Sequence, residues 1–168
     1  MNEDVPTLTA VPVVTPHRIG WRTWGTAALA TLTAYSAAIG WQAQLVSYPL
    51  FRAVGSEEFA AYHLQYNDSI PAVVIAPGFA AFLGGIAFYW TRPAYVPRWA
   101  AVVVAAGGLT SVLSTVFWAI PMHDRLDRIG QSQQTIDSLI MANVPRTVAL
   151  TASTAVLMWA LVRSRRRA

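Results

Sequence analysis

Apolar runs separated by short polar clusters rich in proline and arginine set the pattern of this chain. They extend from about Trp24 to Val46, Ile70 to Trp90, Trp99 to Ile120 and Thr147 to Val162. A helix rises 1.5 Å per residue, so about 20 apolar residues cross a hydrocarbon core of roughly 30 Å, and each run predicts a membrane span. Pro49 and Pro121 follow the first and third runs and Arg92 closes the second. Phe88, Tyr89, Trp90 and Trp99 set aromatic rings at headgroup depth. The fourth run is the shortest and most polar, holding Thr147, Thr151, Ser153 and Thr154. The predicted fold is all-α: a polytopic membrane four-helix bundle. Residues 1–23, with Pro6, Pro12 and Pro16, read as a flexible cytoplasmic tail, 24–162 as the transmembrane domain and 163–168 as a basic cytoplasmic tail. An acidic start at Glu3 and Asp4 and an apolar stretch of spanning length argue against a cleaved signal.

Composition agrees: 55% of residues are hydrophobic and 12% charged, against about 25% charge in a soluble domain. The absence of cysteine excludes disulfides, thiolate catalysis and Cys-based metal centres. All twelve basic residues are arginine, which with the abundance of alanine matches the codon bias of a GC-rich bacterial genome. With four spans, Arg18, Arg22, Arg92, Arg98, Arg163, Arg165, Arg166 and Arg167 fall on one side and Arg52, Arg125, Arg128 and Arg146 on the other. The positive-inside rule then puts both termini in the cytoplasm of a cell-membrane protein. Arginines in short patches at helix ends are explained by headgroup contact, so membrane lipids are the expected partners, nucleic acid is not, and self-association is left open.

The two outward connections carry every acidic residue beyond the N-terminal tail. In the first, Ser56 followed by Glu57 and Glu58 predicts the start of a short extracytoplasmic helix to about Asp68, lying over the bundle, with Phe59, His63 and Tyr66 near one face and Asn67 a turn beyond His63. In the second, His123 leaves the membrane, Asp124, Asp127 and Arg128 follow, and an amphipathic stretch from Gln134 to Met141 leads to Asn143 and Arg146, which share a side of the fourth helix. Within the spans, Gln42 and Gln44 are read first as interhelical hydrogen-bonding groups, and Gly84-Gly85 and Gly107-Gly108 as points of close helix approach.

His63, His123, Asn143 and Arg146 thus fall at one membrane depth on three segments, with Gln44 beneath them. An imidazole removes protons near neutral pH, and an arginine with an amide stabilises the resulting phenolate or enolate where water is scarce. The bland readings are an interfacial hydrogen bond for His63, and for Arg146 a headgroup contact or an ion pair with Asp124 or Asp127. A facial triad of two histidines with Glu58 or Asp127 is a weaker reading because no ligand spacing supports it, and bis-histidine haem is weaker still. Neither a metal nor a cofactor is expected.

Gln44-Leu45-Val46-Ser47-Tyr48-Pro49-Leu50-Phe51, Tyr62-His63, Ile120-Pro121-Met122-His123 with Leu126, and Asn143-Val144-Pro145-Arg146-Thr147 resemble motifs of small four-helix membrane proteins related to the anthrone-oxygenase-like family, most of unassigned function. The resemblance covers most of the chain beyond the tail. It implies oxidation of aromatic polyketide intermediates without an obvious cofactor. The expectation is a small membrane enzyme acting on a hydrophobic, aromatic or polyketide-like small molecule by general-base chemistry: oxygenation, isomerisation or cyclisation. His63, His123 and Arg146 are the expected catalytic residues, and Gln44, Tyr48, Asn67 and Asn143 the substrate-binding ones. The alternative is a non-catalytic lipid-binding or accessory protein. A pocket among Gln44, His63, His123 and Arg146 favours the first, and a packed mouth the second.

Overall fold

The computed structural model describes residues 20–165, so most of the expected N-terminal tail and residues 166–168 lie outside the described residues. Four long helices make up the fold: α1 (Trp21–Gln42), α2 (Phe59–Thr91), α3 (Arg98–Ile129) and α4 (Gln133–Arg165). Helix α1 runs on through a π turn (Ala43–Ser47), a turn of α-helix (Tyr48–Leu50) and a 3₁₀ turn (Phe51–Ala53). By length and apolarity α2, α3 and α4 suffice to cross a membrane. Helix α1 falls short of the same measure, because Thr23, Thr26, Thr31, Thr33, Ser36 and Gln42 dilute its apolar residues.

Two boundaries differ from the expectation. Helix α1 begins at Trp21, so residues 21–23 are helix rather than tail. The outer helix expected at 56–68 is not a separate element: it starts at Phe59 and is continuous with the second span. Polar side chains at Asn67, Asp68 and Ser69 lower helix propensity without breaking hydrogen bonds, and Pro71 opens a π turn that carries the helix onward. The first turns of α2 pack on the last turns of α3, and with the end of the α1 segment and the start of α4 they form a head at one end of the bundle.

Three π turns solve the same problem. Proline at position i has no N–H and its ring collides with the carbonyl of residue i−4. The π turns Ala43–Ser47, Pro71–Ile75 and Thr115–Ala119 are centred on Leu45, Val73 and Phe117, four residues before Pro49, Pro77 and Pro121. Widening the helix there accommodates each ring, and the residue before each proline donates five residues back: Tyr48 to Ala43, Ala76 to Pro71 and Ile120 to Thr115. The Val73 carbonyl, deprived of its usual donor by Pro77, accepts the Tyr35 hydroxyl at 3.2 Å, a bridge from α1 to α2.

The helices close a square in which α1 packs on α2 and α4, and α3 packs on the same two, with the α1–α2 seam the loosest. Glycines set the tight seams. A Cβ on Gly108 would lie 2.8 Å from Phe82 Cα, and one on Gly107 2.9 Å from the Ala149 carbonyl and closer still to Ser153 Oγ. These backbones touch, as expected for Gly107-Gly108, and Gly85 approaches the Val104 carbonyl in the same way. Gly108→Ala therefore forces α2 and α3 apart and is expected to cost about 1–3 kcal/mol, read as a lower melting temperature of the detergent-solubilised protein. Gly25→Ala, where an added Cβ meets nothing, is the control.

Buried apolar residues form two clusters. One, at the end of the bundle where α1 begins, includes Leu29, Phe88, Val96, Val104 and Leu157, and the other, in the head, includes Tyr48, Phe51, Phe59, Leu126, Ile136 and Leu139. Polar side chains lie between them: Thr33, Ser111, Ser114, Asn143, Arg146, Thr147 and Ser153 are all buried. The outer surface is apolar, with Leu45, Leu83, Trp90, Phe117 and Val148 exposed. Arg22, Arg92 and Arg163 lie against the rings of Trp21, Tyr89 and Trp159 at the end where α1 begins.

Candidate functional site: a histidine chain and a buried arginine

Helical spacing assembles the upper part of the site. His63 and Asn67 are four residues apart on α2, and His123 and Asp127 are four apart on α3, so each helix offers two stacked polar groups to the other. His63 Nδ1 lies 2.6 Å from an oxygen of Asp127, and Asn67 Nδ2 donates to the other oxygen at 2.9 Å. His63 Nε2 lies 3.0 Å from His123 Nδ1, and His123 Nε2 lies 3.4 Å from the Tyr48 hydroxyl. The order is Asp127, His63, His123, Tyr48.

One pattern of protons satisfies every link. A carboxylate only accepts, so His63 Nδ1 carries hydrogen and Nε2 accepts from His123 Nδ1–H, leaving His123 Nε2 to accept from the Tyr48 hydroxyl. Passing the Tyr48 proton to His123 Nε2 and the His123 Nδ1 proton to His63 Nε2, with the His63 Nδ1 hydrogen staying in place, turns His63 into an imidazolium held by the carboxylate and leaves Tyr48 a phenolate.

Aromatic rings enclose it. Phe59 and Tyr66 stack on His63, with Phe51 edge-on at 5.3 Å, and Tyr66 also stacks on His123. His63 is 0% exposed and His123 8%, whereas the Asp127 side chain is 34% exposed. One end of the chain is therefore wet and the other dry.

The lower part lies where α1 meets α4. Asn143 Nδ2 donates to the Gly40 carbonyl at 2.8 Å and to Gln44 Oε1 at 2.7 Å, and Arg146 Nε donates to Asn143 Oδ1 at 2.5 Å. Asn143 is thus saturated and holds the arginine in place. Arg146 is 5% exposed, and among the described residues it is paired with no carboxylate. Asp127, one expected partner, is engaged by His63 instead. The Arg146 guanidinium interacts with the Tyr48 phenol, which joins the two halves of the site. It also lines a small pocket with residues of α1, α2 and α3.

The structure brings together all seven residues singled out from the sequence: His63, His123 and Tyr48 in a line that starts at Asp127, with Asn67 on the same carboxylate, and Gln44, Asn143 and Arg146 below. It does not give them one common outward-opening mouth. Rings close over the histidines, and of the seven only Arg146 reaches the pocket. The spacing of four from His123 puts Asp127 on the same side of α3, but nothing in the sequence signalled that its partner is His63. Gln131, which ties the loop after α3 to α1 by donating to the carbonyls of Phe51 and Val54 at 3.0 and 2.7 Å, had no such spacing to mark it. Arg52 and Asp137 form a further ion pair between α1 and α4. Among the described residues no group of three His, Asp or Glu side chains converges as a metal site would require; the histidines and Asp127 lie in line.

Helices α2, α3 and α4 and the buried polar chain define a helix-bundle protein with three helices of membrane-spanning length. Compared with protein-family models, curated proteins and solved structures, the chain matches none of them.

Proposed function

We propose that this chain is a four-span membrane enzyme that removes a proton from a hydrophobic, aromatic or polyketide-like substrate. The observation that carries the reading is the line from the water-exposed Asp127 through His63 and His123 to Tyr48, ending beside the unpaired Arg146 at the pocket wall. On this reading the substrate, anchored at Arg146, displaces the packing that separates the pocket from the buried Tyr48, and its acidic C–H or O–H gives its proton to the Tyr48 oxygen as the Tyr48 proton passes to His123 and the His123 proton to His63. Asp127 holds the imidazolium, and Arg146 holds the substrate anion in a site of low dielectric. The carbanion then reacts with dioxygen, or is reprotonated elsewhere as an isomerisation, or closes a ring. The motif resemblance to anthrone-oxygenase-like proteins supports an aromatic substrate.

Both termini are placed in the cytoplasm, with α1 as the fourth span and the head outside. Cysteines at Ser56 and Gln133 are then expected to react with an impermeant thiol reagent added outside whole cells, and one at Ala94 only after lysis. The reverse pattern inverts the orientation.

Anthrone, whose ring CH₂ is acidic, tests the chemistry. In deuterated buffer the purified protein is expected to speed exchange at that carbon, followed by NMR, and His123→Ala and Asp127→Asn to slow it by about 100-fold or more. Exchange by wild type no faster than by His123→Ala removes the general-base reading. The closed packing around both histidines favours a second reading, a non-catalytic lipid-binding or accessory protein. That reading gains if mass spectrometry of the solubilised protein finds a lipid retained and anthrone exchange stays at the solvent rate.

A further inference from the structure

We infer that the pocket at Arg146 is a binding site for an amphiphilic acid that enters from the bilayer between α1 and α2. It is lined by Ser36 and Gly40 of α1, Val74 and Gly78 of α2, Ser111 of α3 and Arg146 of α4. Its enclosed interior of about 20 Å³ takes one water-sized group, and the rest opens outward. We take the α1–α2 seam, the loosest of the four, as the way in, because Ile39, Val73 and Phe79 of these two helices line the pocket.

Two polar groups in it lack the partner that burial demands. Arg146 is 95% buried by its 5% exposure and has no carboxylate, although leaving a buried charge uncompensated costs several kcal/mol. The Ser36 hydroxyl, contributed by α1, is buried without a hydrogen-bond partner, and Ser36 lines the same pocket. Together they supply a cation and a hydroxyl donor around a space the size of one oxygen atom, floored by apolar side chains. The chemistry that fits is a single anionic oxygen, a carboxylate or phenolate, on an apolar body that lies along the seam against Val73 and Phe79. We take a free acid as the occupant, since its anionic group ends the apolar body, whereas a phospholipid's phosphodiester carries glycerol on one side and a headgroup on the other. The inference shares Arg146 with the functional reading and adds where the substrate lies, how it enters and which charge it carries.

The pocket offers a test that leaves the histidine chain untouched. A Cβ on Gly78 meets nothing within 4 Å, so Gly78→Leu fills the pocket without a backbone collision and raises helix propensity. Full-length protein in phosphatidylcholine nanodiscs is dialysed against radiolabelled 2-naphthoate, with empty discs as background. Saturable binding is expected, weakened about tenfold or more for methyl 2-naphthoate and for Arg146→Gln. Gly78→Leu is expected to abolish it, Ser36→Ala to weaken it a few-fold, and Asp127→Asn to leave it intact. No saturable binding, equal binding of the ester, or wild-type binding by Gly78→Leu overturns the proposal, and so does displacement of the probe by phosphatidylglycerol in the discs, which would make the site a headgroup site. Binding of 2-naphthoate without anthrone exchange keeps this pocket and removes the general base, whereas exchange without binding does the opposite.

Discussion

Truncating His63 to alanine is expected to do two kinds of damage, separable by a second substitution. The ring is fully buried between Phe59 and Tyr66, with Phe51 at its edge, and it hydrogen-bonds Asp127 on one side and His123 on the other. His63→Ala leaves a cavity and two partners short of a hydrogen bond, a loss of about 2–4 kcal/mol of stability. A histidine at a membrane edge, as the sequence alone suggested, would cost far less. His63→Gln fills most of the volume and can still donate to Asp127, so its melting temperature should fall much less. An amide does not accept and release a proton as an imidazole does, so anthrone exchange by His63→Gln should still drop by about 100-fold or more. Thermal unfolding in detergent and NMR exchange on the same samples check both halves. A His63→Gln variant with wild-type exchange would show that the ring serves packing alone.

Arg146→Gln is expected to move stability and function in opposite directions. The wild-type guanidinium is buried with two neutral partners, Asn143 Oδ1 and the Tyr48 phenol, and no carboxylate. Glutamine removes the desolvated charge and keeps an amide donor, so the variant should gain about 1–3 kcal/mol of stability while losing binding of 2-naphthoate and exchange of anthrone. A residue retained at a cost to the fold is one whose value lies in what it binds. Arg146→Lys should recover little, because a single ammonium cannot offer the planar fork that holds Asn143 and an oxyanion together. A large fall in melting temperature for Arg146→Gln would mean that the guanidinium is structural glue.

Much of the architecture was legible because it is local. The apolar runs ending near Trp90, Ile120 and Val162 coincide with helices α2, α3 and α4 because length and apolarity are properties of a segment by itself. Gly107-Gly108 announced a close approach for the same reason: a missing Cβ can be read without knowing what it will touch. Relative height was read less well: counting residues from the span ends puts His63, His123, Asn143 and Arg146 in one slab, whereas Asn143 and Arg146 sit below the histidines, with Gly40 and Gln44. The i, i+4 spacings of His63 with Asn67 and of His123 with Asp127 even select the facing sides.

Tertiary structure decided how those groups are shared out. Asp127 is one turn from His123 in sequence, but whether it neutralises Arg146 or orients His63 depends on the rotation of α3 against α2, which no single helix encodes. The structure gives it to His63, and that choice leaves Arg146 unpaired at a pocket wall. The outer stretch before Pro71 read as a separate helix because polarity changes there, yet a π turn before Pro77 carries the helix through and stacks Phe59, His63 and Tyr66 over the histidine chain. Ser36 carried no signal at all, being one hydroxyl among many on α1 until the loose α1–α2 seam left it without a partner. Helix position follows from the free energy of each segment in apolar surroundings, whereas the partner of a buried polar group follows from which helices pack closely and which do not.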